Sequence, residues 1–340
     1  MGIEEDDMGQ RGSVLLLGGA GQAGSDTATL LRRRYPELPL TIAGRNPERA
    51  RKVAGELGGA TAVRVDLTRG DLGLPAGREY AAVVATLWDS RLNGLRFAQD
   101  HGVPYVSLSS GMIDIAPEVT AAAQRPAAAP VLMASHWAAG VITLTALAWA
   151  EAFDRVDTIR IGAILDEKDA GGPAGLADLA RWAEVTSAGY ARRDGVFAWS
   201  GAADARVELR GLDGTTVTGQ TIPILDVTSL AFATGAPDVE FAFAVGESAG
   251  TRRGDGPSVE VRIDLDGTGP AGVPLSVSRY LVHPRGQRPL TSLGLAMGIE
   301  RLLGLRADAV PPGFYTPETL LEPAHVVERL ADAGTLFVDA

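Results

Sequence analysis

The stretch SVLLLGGAGQAG, residues 13–24, joins a short apolar run to a cluster of glycines. Ser13 to Leu17 has the length and composition of a strand buried on both faces, and Gly19, Gly21 and Gly24 follow it as G-x-G-x-x-G ahead of a helix-like segment, 25–34. Each glycine answers a steric need. Gly19 lets the chain turn off the strand, Gly21 lets the backbone approach a pyrophosphate with no Cβ in the way, and Gly24 lets the helix lie close to the sheet. The free N–H groups at the helix start, around Gln22 and Ala23, then face an anion.

The next apolar segment, Leu40-Thr41-Ile42-Ala43, ends in Gly44-Arg45-Asn46. An NAD site would carry an acid here for the ribose 2′-hydroxyl, and an acid would repel a 2′-phosphate. Arg45 offers two charge-assisted hydrogen bonds to such a phosphate instead, so this position predicts NADP(H) as the cofactor, with Asn46 beside it. In open α/β sheets ligands lie beyond the carboxyl ends of the strands. Asp66, Thr86, Ser109 and His136 each follow an expected strand. Asp66 suits the adenine amino group, and Thr86 and Ser109 suit ribose or amide contacts, although each fits a turn equally well.

Up to residue 153 apolar runs alternate with amphipathic stretches. Strands are expected at 13–18, 39–43, 61–66, 81–86, 104–108 and 130–134, with helices at 22–34, 46–57, 89–101, 115–124 and 138–153. This is the pattern of a Rossmann doubly wound parallel sheet in an α/β protein. From 154 to 310 the pattern changes to an α+β, mostly antiparallel domain. Its strands are expected at 156–165, 194–199, 205–210, 215–224, 238–246, 257–266 and 273–283, with a helical insert at 175–191 and a helix at 290–305. Residues 1–12 read as a disordered tail, and 311–340 as a C-terminal segment that returns to the first domain. The second domain has more sheet than its few helices cover, which points to a homodimer.

Composition narrows the chemistry. A formal charge of −11 over 340 residues argues against nucleic acid and anionic membranes as partners. The longest apolar stretch, 131–150, is interrupted by Ser135, His136 and Gly140, and the N-terminus lacks the regions of a signal peptide, so a soluble cytoplasmic protein is expected. With no cysteine, neither a thiohemiacetal intermediate nor cysteine-ligated zinc is available, and no metal site is expected. The only lysines are Lys52 and Lys168, preceded four residues earlier by Glu48 and Ile164. A Tyr-x-x-x-Lys pair is therefore absent.

Gly18-Gly19-Ala20-Gly21-Gln22-Ala23-Gly24, taken with Leu40 to Ala50, resembles the NADP-binding domain of the saccharopine dehydrogenase-like family. The resemblance covers the first 150 residues or so, and beyond them rests on layout. It implies a reductase that makes or cleaves a secondary amine by hydride transfer through an imine, with a small-molecule substrate it does not specify. An enoyl or carbonyl reductase acting on an acyl group, and a non-enzymatic NADPH sensor, stay open beside it.

Few side chains are available for proton transfer. His136, in Ser135-His136-Trp137, is the one histidine that follows an expected strand of the first domain, where it would serve as a general acid or merely cap a helix. Trp137 is a candidate wall for the nicotinamide or a core residue. Lys168 and Asp166 lie just past the first strand of the second domain, facing the expected cleft, and Lys168 would anchor a carboxylate or move the proton of an amine. Tyr190 and Arg193, at the end of the insert, are candidates to close on a substrate carboxylate.

Overall fold

The computed structural model describes residues 12–108, 111–169, 171–185 and 187–340. Its first half winds β1 (Ser13–Leu17), α1 (Gln22–Arg34), β2 (Leu40–Gly44), α2 (Pro47–Leu57), β3 (Ala60–Arg64), β4 (Tyr80–Ala85), α3 (Asn93–Asp100), β5 (Tyr105–Ser107), α4 (Ile115–Gln124), β6 (Pro130–Met133) and α5 (Val141–Ala150). The strands form a parallel sheet in the order β6-β5-β4-β1-β2-β3. Val14 to Leu17 are fully buried because helices cover both faces, which is why the strand reads as an unbroken apolar run.

The second half supplies β7 (Arg155–Asp166), α6 (Pro173–Val185), β8 (Gly189–Arg193), β9 (Val196–Ser200), β10 (Arg206–Arg210), β11 (Thr216–Thr221), α7 (Leu225–Thr234), β12 (Asp238–Gly246), α8 (Ala249–Arg253), β13 (Val259–Thr268), β14 (Pro274–His283) and α9 (Arg288–Leu302). The chain closes with β15 (Gly313–Tyr315), α10 (Pro317–Leu320), α11 (Pro323–Asp332) and β16 (Leu336–Asp339). A second sheet runs β10-β11-β12-β7-β13-β14-β16, with the β8–β9 hairpin attached to β12. Among the described residues only β7 and β12 pair in parallel there. Every other pairing in that sheet is antiparallel. Val156, Ile159, Ile161 and Ala163 of β7 point into one core with α5 and α7, while Arg160 and Gly162 face the other way.

Parts of the second half differ from expectation. The insert ends at Val185, and Gly189–Arg193 is a strand, because Tyr190 packs between Phe197 and Trp199 across a hairpin. Residues 225–234, which follow the expected strand 215–224, form α7, whose Val227, Leu230 and Ala231 are buried against the second sheet.

Long-range pairing binds the halves together. Leu295, Ala296, Ile299 and Leu302 of α9 lie in the core of the first sheet with Val14 and Leu16. The tail serves both sheets. β15 extends the first sheet beside β6, whereas Val326 and Leu330 of α11 fill the second core and β16 pairs with β14. No helix among the described residues is long and apolar enough to cross a membrane. The apolar stretch 131–150 is instead β6, a tight turn and α5, buried through Ala146 and half-buried over 147–150.

Candidate cofactor and substrate site

The turn off β1 is made by Gly18, at φ +81°, one residue earlier than expected. A Cβ on Gly19 would stand 2.8 Å from the Leu16 carbonyl oxygen, and one on Gly24 would stand 2.7 Å from both the Gly18 carbonyl oxygen and the Gly19 Cα. Gly21 would meet only the Gly18 carbonyl oxygen, at 3.0 Å, so its outer face is open. The helix is thus drawn down onto the loop, and its first N–H groups, from Gln22 and Ala23 onward, have no side-chain cap. Thr86, buried at the end of β4, donates its hydroxyl to the Leu17 carbonyl at 3.0 Å and closes the loop from the neighbouring strand.

Past β2, Arg45 is exposed and has no ion pair among the described residues. Asn46 spends its side chain as a helix cap, Oδ1 accepting from the Glu48 and Arg49 N–H groups. Asp66 accepts from the Thr68 hydroxyl and N–H, which lower its pKa and leave it as a turn-closing carboxylate. Ser109 lies outside the described residues.

The opposite wall comes from the second half of the chain. The segment after β7 reaches the glycine loop, where Gln22 Oε1 is 3.3 Å from the position a Cβ on Gly172 would take. Asp169 accepts from the Gln287 N–H at 2.7 Å, and Arg288 pairs with Asp26 of α1 at 2.8 Å. Burial raises the Asp169 pKa more than that hydrogen bond and Arg288 lower it. From there α6 crosses the carboxyl edge of the first sheet. Arg181 stacks 4.0 Å over the Trp88 ring and donates to Asp114 and Asp178, and Trp182 lies so close to Gly111 that a Cβ there would meet its ring at 2.3 Å. Spacing along the chain could not have revealed Arg181, Trp182 and Trp88 as neighbours, because folding alone brings them together.

Lys168 is exposed at this mouth, its ammonium without an ion pair among the described residues, and its backbone N–H donates to Asp166. Asp166 itself is a structural carboxylate rather than an open one. Burial works to raise its pKa, but hydrogen bonds from the Ser248 hydroxyl and N–H and from the Lys168 N–H act the other way, and it is held at about 2.

His136 and Trp137 are correctly placed beyond β6 but turned inward. The His136 side chain has no exposed surface, and Nε2 shares a 2.8 Å hydrogen bond with the Ser229 hydroxyl, with Glu318 at 3.9 Å. The ring is therefore enclosed, with Ser229 as its hydrogen-bond partner rather than a group at the mouth. Trp137 packs on Phe241 and Phe243 in the second core and forms no wall. After it Ala138, Ala139 and Gly140 adopt φ of 50°, 55° and 86°, a left-handed turn that costs an L residue roughly 1–2 kcal/mol each. The buried carboxylate of Asp226 holds this turn, accepting from the Trp137 N–H at 2.8 Å and the Thr143 hydroxyl at 2.7 Å.

Tyr190 and Arg193 do not join the site. β8 pairs with β12 at Val239 and Glu240, which lie level with Ile159 and Arg160 of β7, roughly 20 Å along the strand from Asp166. Tyr190 is buried in an aromatic stack there, and Arg193 is paired with Glu240.

The sequence matches no protein-family model and no curated protein sequence. Solved structures do match. Saccharopine dehydrogenase (L-Glu forming) from Saccharomyces cerevisiae aligns with a TM-score of 0.69 at 11% identity, over 97% of this chain and 100% of that one. The chain has the saccharopine dehydrogenase fold. A myo-inositol dehydrogenase from Corynebacterium glutamicum matches at a TM-score of 0.48 and 14% identity, over 97% of this chain and 99% of that one. At such identities the likeness is one of fold, and chemistry must be argued from the site. In this saccharopine dehydrogenase fold the site is a mouth between the glycine loop, the ends of β4 and β5, the segment after β7 and the overlying α6.

Proposed function

We propose that this chain is an NADP(H)-dependent oxidoreductase of the saccharopine dehydrogenase type that acts on an imine or carbonyl group of an amino-acid-like or keto-acid-like small molecule. The observation that carries the proposal is the loop 18–24. Gly19 and Gly24 have no room for a Cβ, the open face of Gly21 adjoins an uncapped helix start, and a cation stands where an acid would select NAD. Those glycines, the N–H groups of Gln22 and Ala23, and Arg45 would hold the cofactor. Bound there, a nicotinamide supplies or accepts a hydride.

The rest of the work falls to the chain's own residues. Lys168, the charged amine at the mouth, attracts a substrate carboxylate and stands ready to exchange a proton with a substrate nitrogen. α6 excludes water from the mouth while Arg181 holds it to Trp88 and Asp114. His136 and Asp226 support the β6 end from behind. The test is NADPH consumption over a panel of imines and carbonyl compounds bearing carboxylates, followed by loss of reduced-cofactor absorbance. Turnover with a member of the panel is the expected result. A protein that binds NADPH tightly yet consumes it with no imine, carbonyl or enoyl compound is a cofactor sensor instead.

A further inference from the structure

A recess of about 400 Å³ opens beside the glycine loop, lined by Gly21 and Ser25 of the loop and α1, by Arg49, Lys52 and Glu56 of α2, and by Arg288 at the start of α9. Three cations and one carboxylate in one hollow run against a chain whose formal charge is −11. The fold does not account for them. Arg49 has no ion pair or side-chain hydrogen bond among the described residues, and Lys52 has only the exposed Glu56, at 3.9 Å. Arg288 pairs with Asp26 while remaining half exposed. Exposed pairs of this kind contribute about 1 kcal/mol at most, so holding the helices together is a weak reason for the cluster.

Gly21 belongs to both the recess and the loop that faces a pyrophosphate. An anion in the recess therefore lies next to one on the loop, as two phosphates of a single ligand would. Arg45 is not among the residues that line the recess. We infer that the recess holds the 2′-phosphate of the adenosine moiety, gripped by Arg49 from α2 and by Arg288 from α9, with Lys52 adding charge at the rim. This rests on the NADP(H) reading and deepens it: cofactor choice is set by a helix that follows the second sheet in the chain as well as by the turn after β2. Two guanidiniums approaching from different helices match the three oxygens of a phosphomonoester dianion, which a ribose hydroxyl would not satisfy. Glu56 and Asp26 limit the grip.

The test is calorimetric titration of the full-length protein with NADPH, NADH and adenosine 2′-monophosphate. Arg49→Ala and Arg288→Ala should each weaken NADPH and adenosine 2′-monophosphate by about tenfold or more while changing NADH less than about twofold. Glu56→Gln and Asp26→Asn, surface changes that leave the core untouched, should each tighten NADPH by about twofold or more. Folded arginine variants that keep the wild-type ratio of NADPH to NADH affinity, or carboxylate variants with no gain, overturn the inference and leave the cofactor reading standing. A wild-type protein that binds NADPH and NADH equally overturns both.

Discussion

At the scale of single residues, the site depends on buried groups that make no contact with the mouth. Asp226 is fully buried, and burial raises its pKa above the usual carboxylate range against the opposing effects of His136, Thr143 and the Trp137 N–H. Both of its oxygens accept, so Asp226→Ala strands two buried donors and releases the left-handed turn at 138–140. A loss of about 2–4 kcal/mol in urea unfolding is expected, and a loss below about 1 kcal/mol would contradict the account. His283 makes the second prediction. Its ring is fully buried, its Nδ1 accepts the Arg285 N–H, and burial together with Arg285 lowers its pKa to about 4. The unfolded chain, with a histidine near 6.5, then binds more protons between those values, so stability falls as pH drops from about 6.5 to about 4. His283→Gln should flatten this limb of a melting-temperature profile. An unchanged limb would assign the acid sensitivity elsewhere. Neither role could be read from the sequence: Asp226 is 89 residues from Trp137, and a lone histidine in an apolar strand has no pattern to interpret.

At the scale of elements, α6 is tied to the first sheet by Arg181, over Trp88 and onto Asp114, and by Trp182 beside Gly111. Arg181→Ala removes the stacking on Trp88 and the ion pairs with Asp114 and Asp178 and should speed amide exchange through 173–185 by about tenfold, with little change in global stability. Exchange that rises equally throughout the chain would mean that the arginine supports the whole fold. The elements of the first sheet were legible within a residue or two at most boundaries, since strands buried on both faces and flanked by glycine admit few other readings. Those of the second half were less so. In α7 the apolar Phe232 is exposed while the polar Asp226 and Ser229 are buried, which erases the helical period. Gly189–Arg193 lost its strand signal to the basic residues at its end. α5 starts at Val141 and not at 138 because three left-handed residues precede it.

For the whole molecule, the chain divides less cleanly than its composition does. α9 and β15 complete the first sheet, α11 and β16 complete the second, and the mouth lies where these crossings bring the two together. The cofactor cradle was legible because its requirement is steric and local, expressed within twelve residues. The wall facing the cradle was legible only at Lys168, because Arg181 and Trp182 meet Trp88 and Gly111 only through tertiary contact. The central claim is that loop 18–24 carries a dinucleotide, and a paired calorimetric titration of NADPH into the unmodified protein and into Gly21→Val tests it most directly. A side chain at Gly21 meets only the Gly18 carbonyl oxygen, at 3.0 Å, so a valine there should leave the protein folded with a modestly lowered melting temperature and abolish binding. Undiminished NADPH binding by the folded variant would contradict the account.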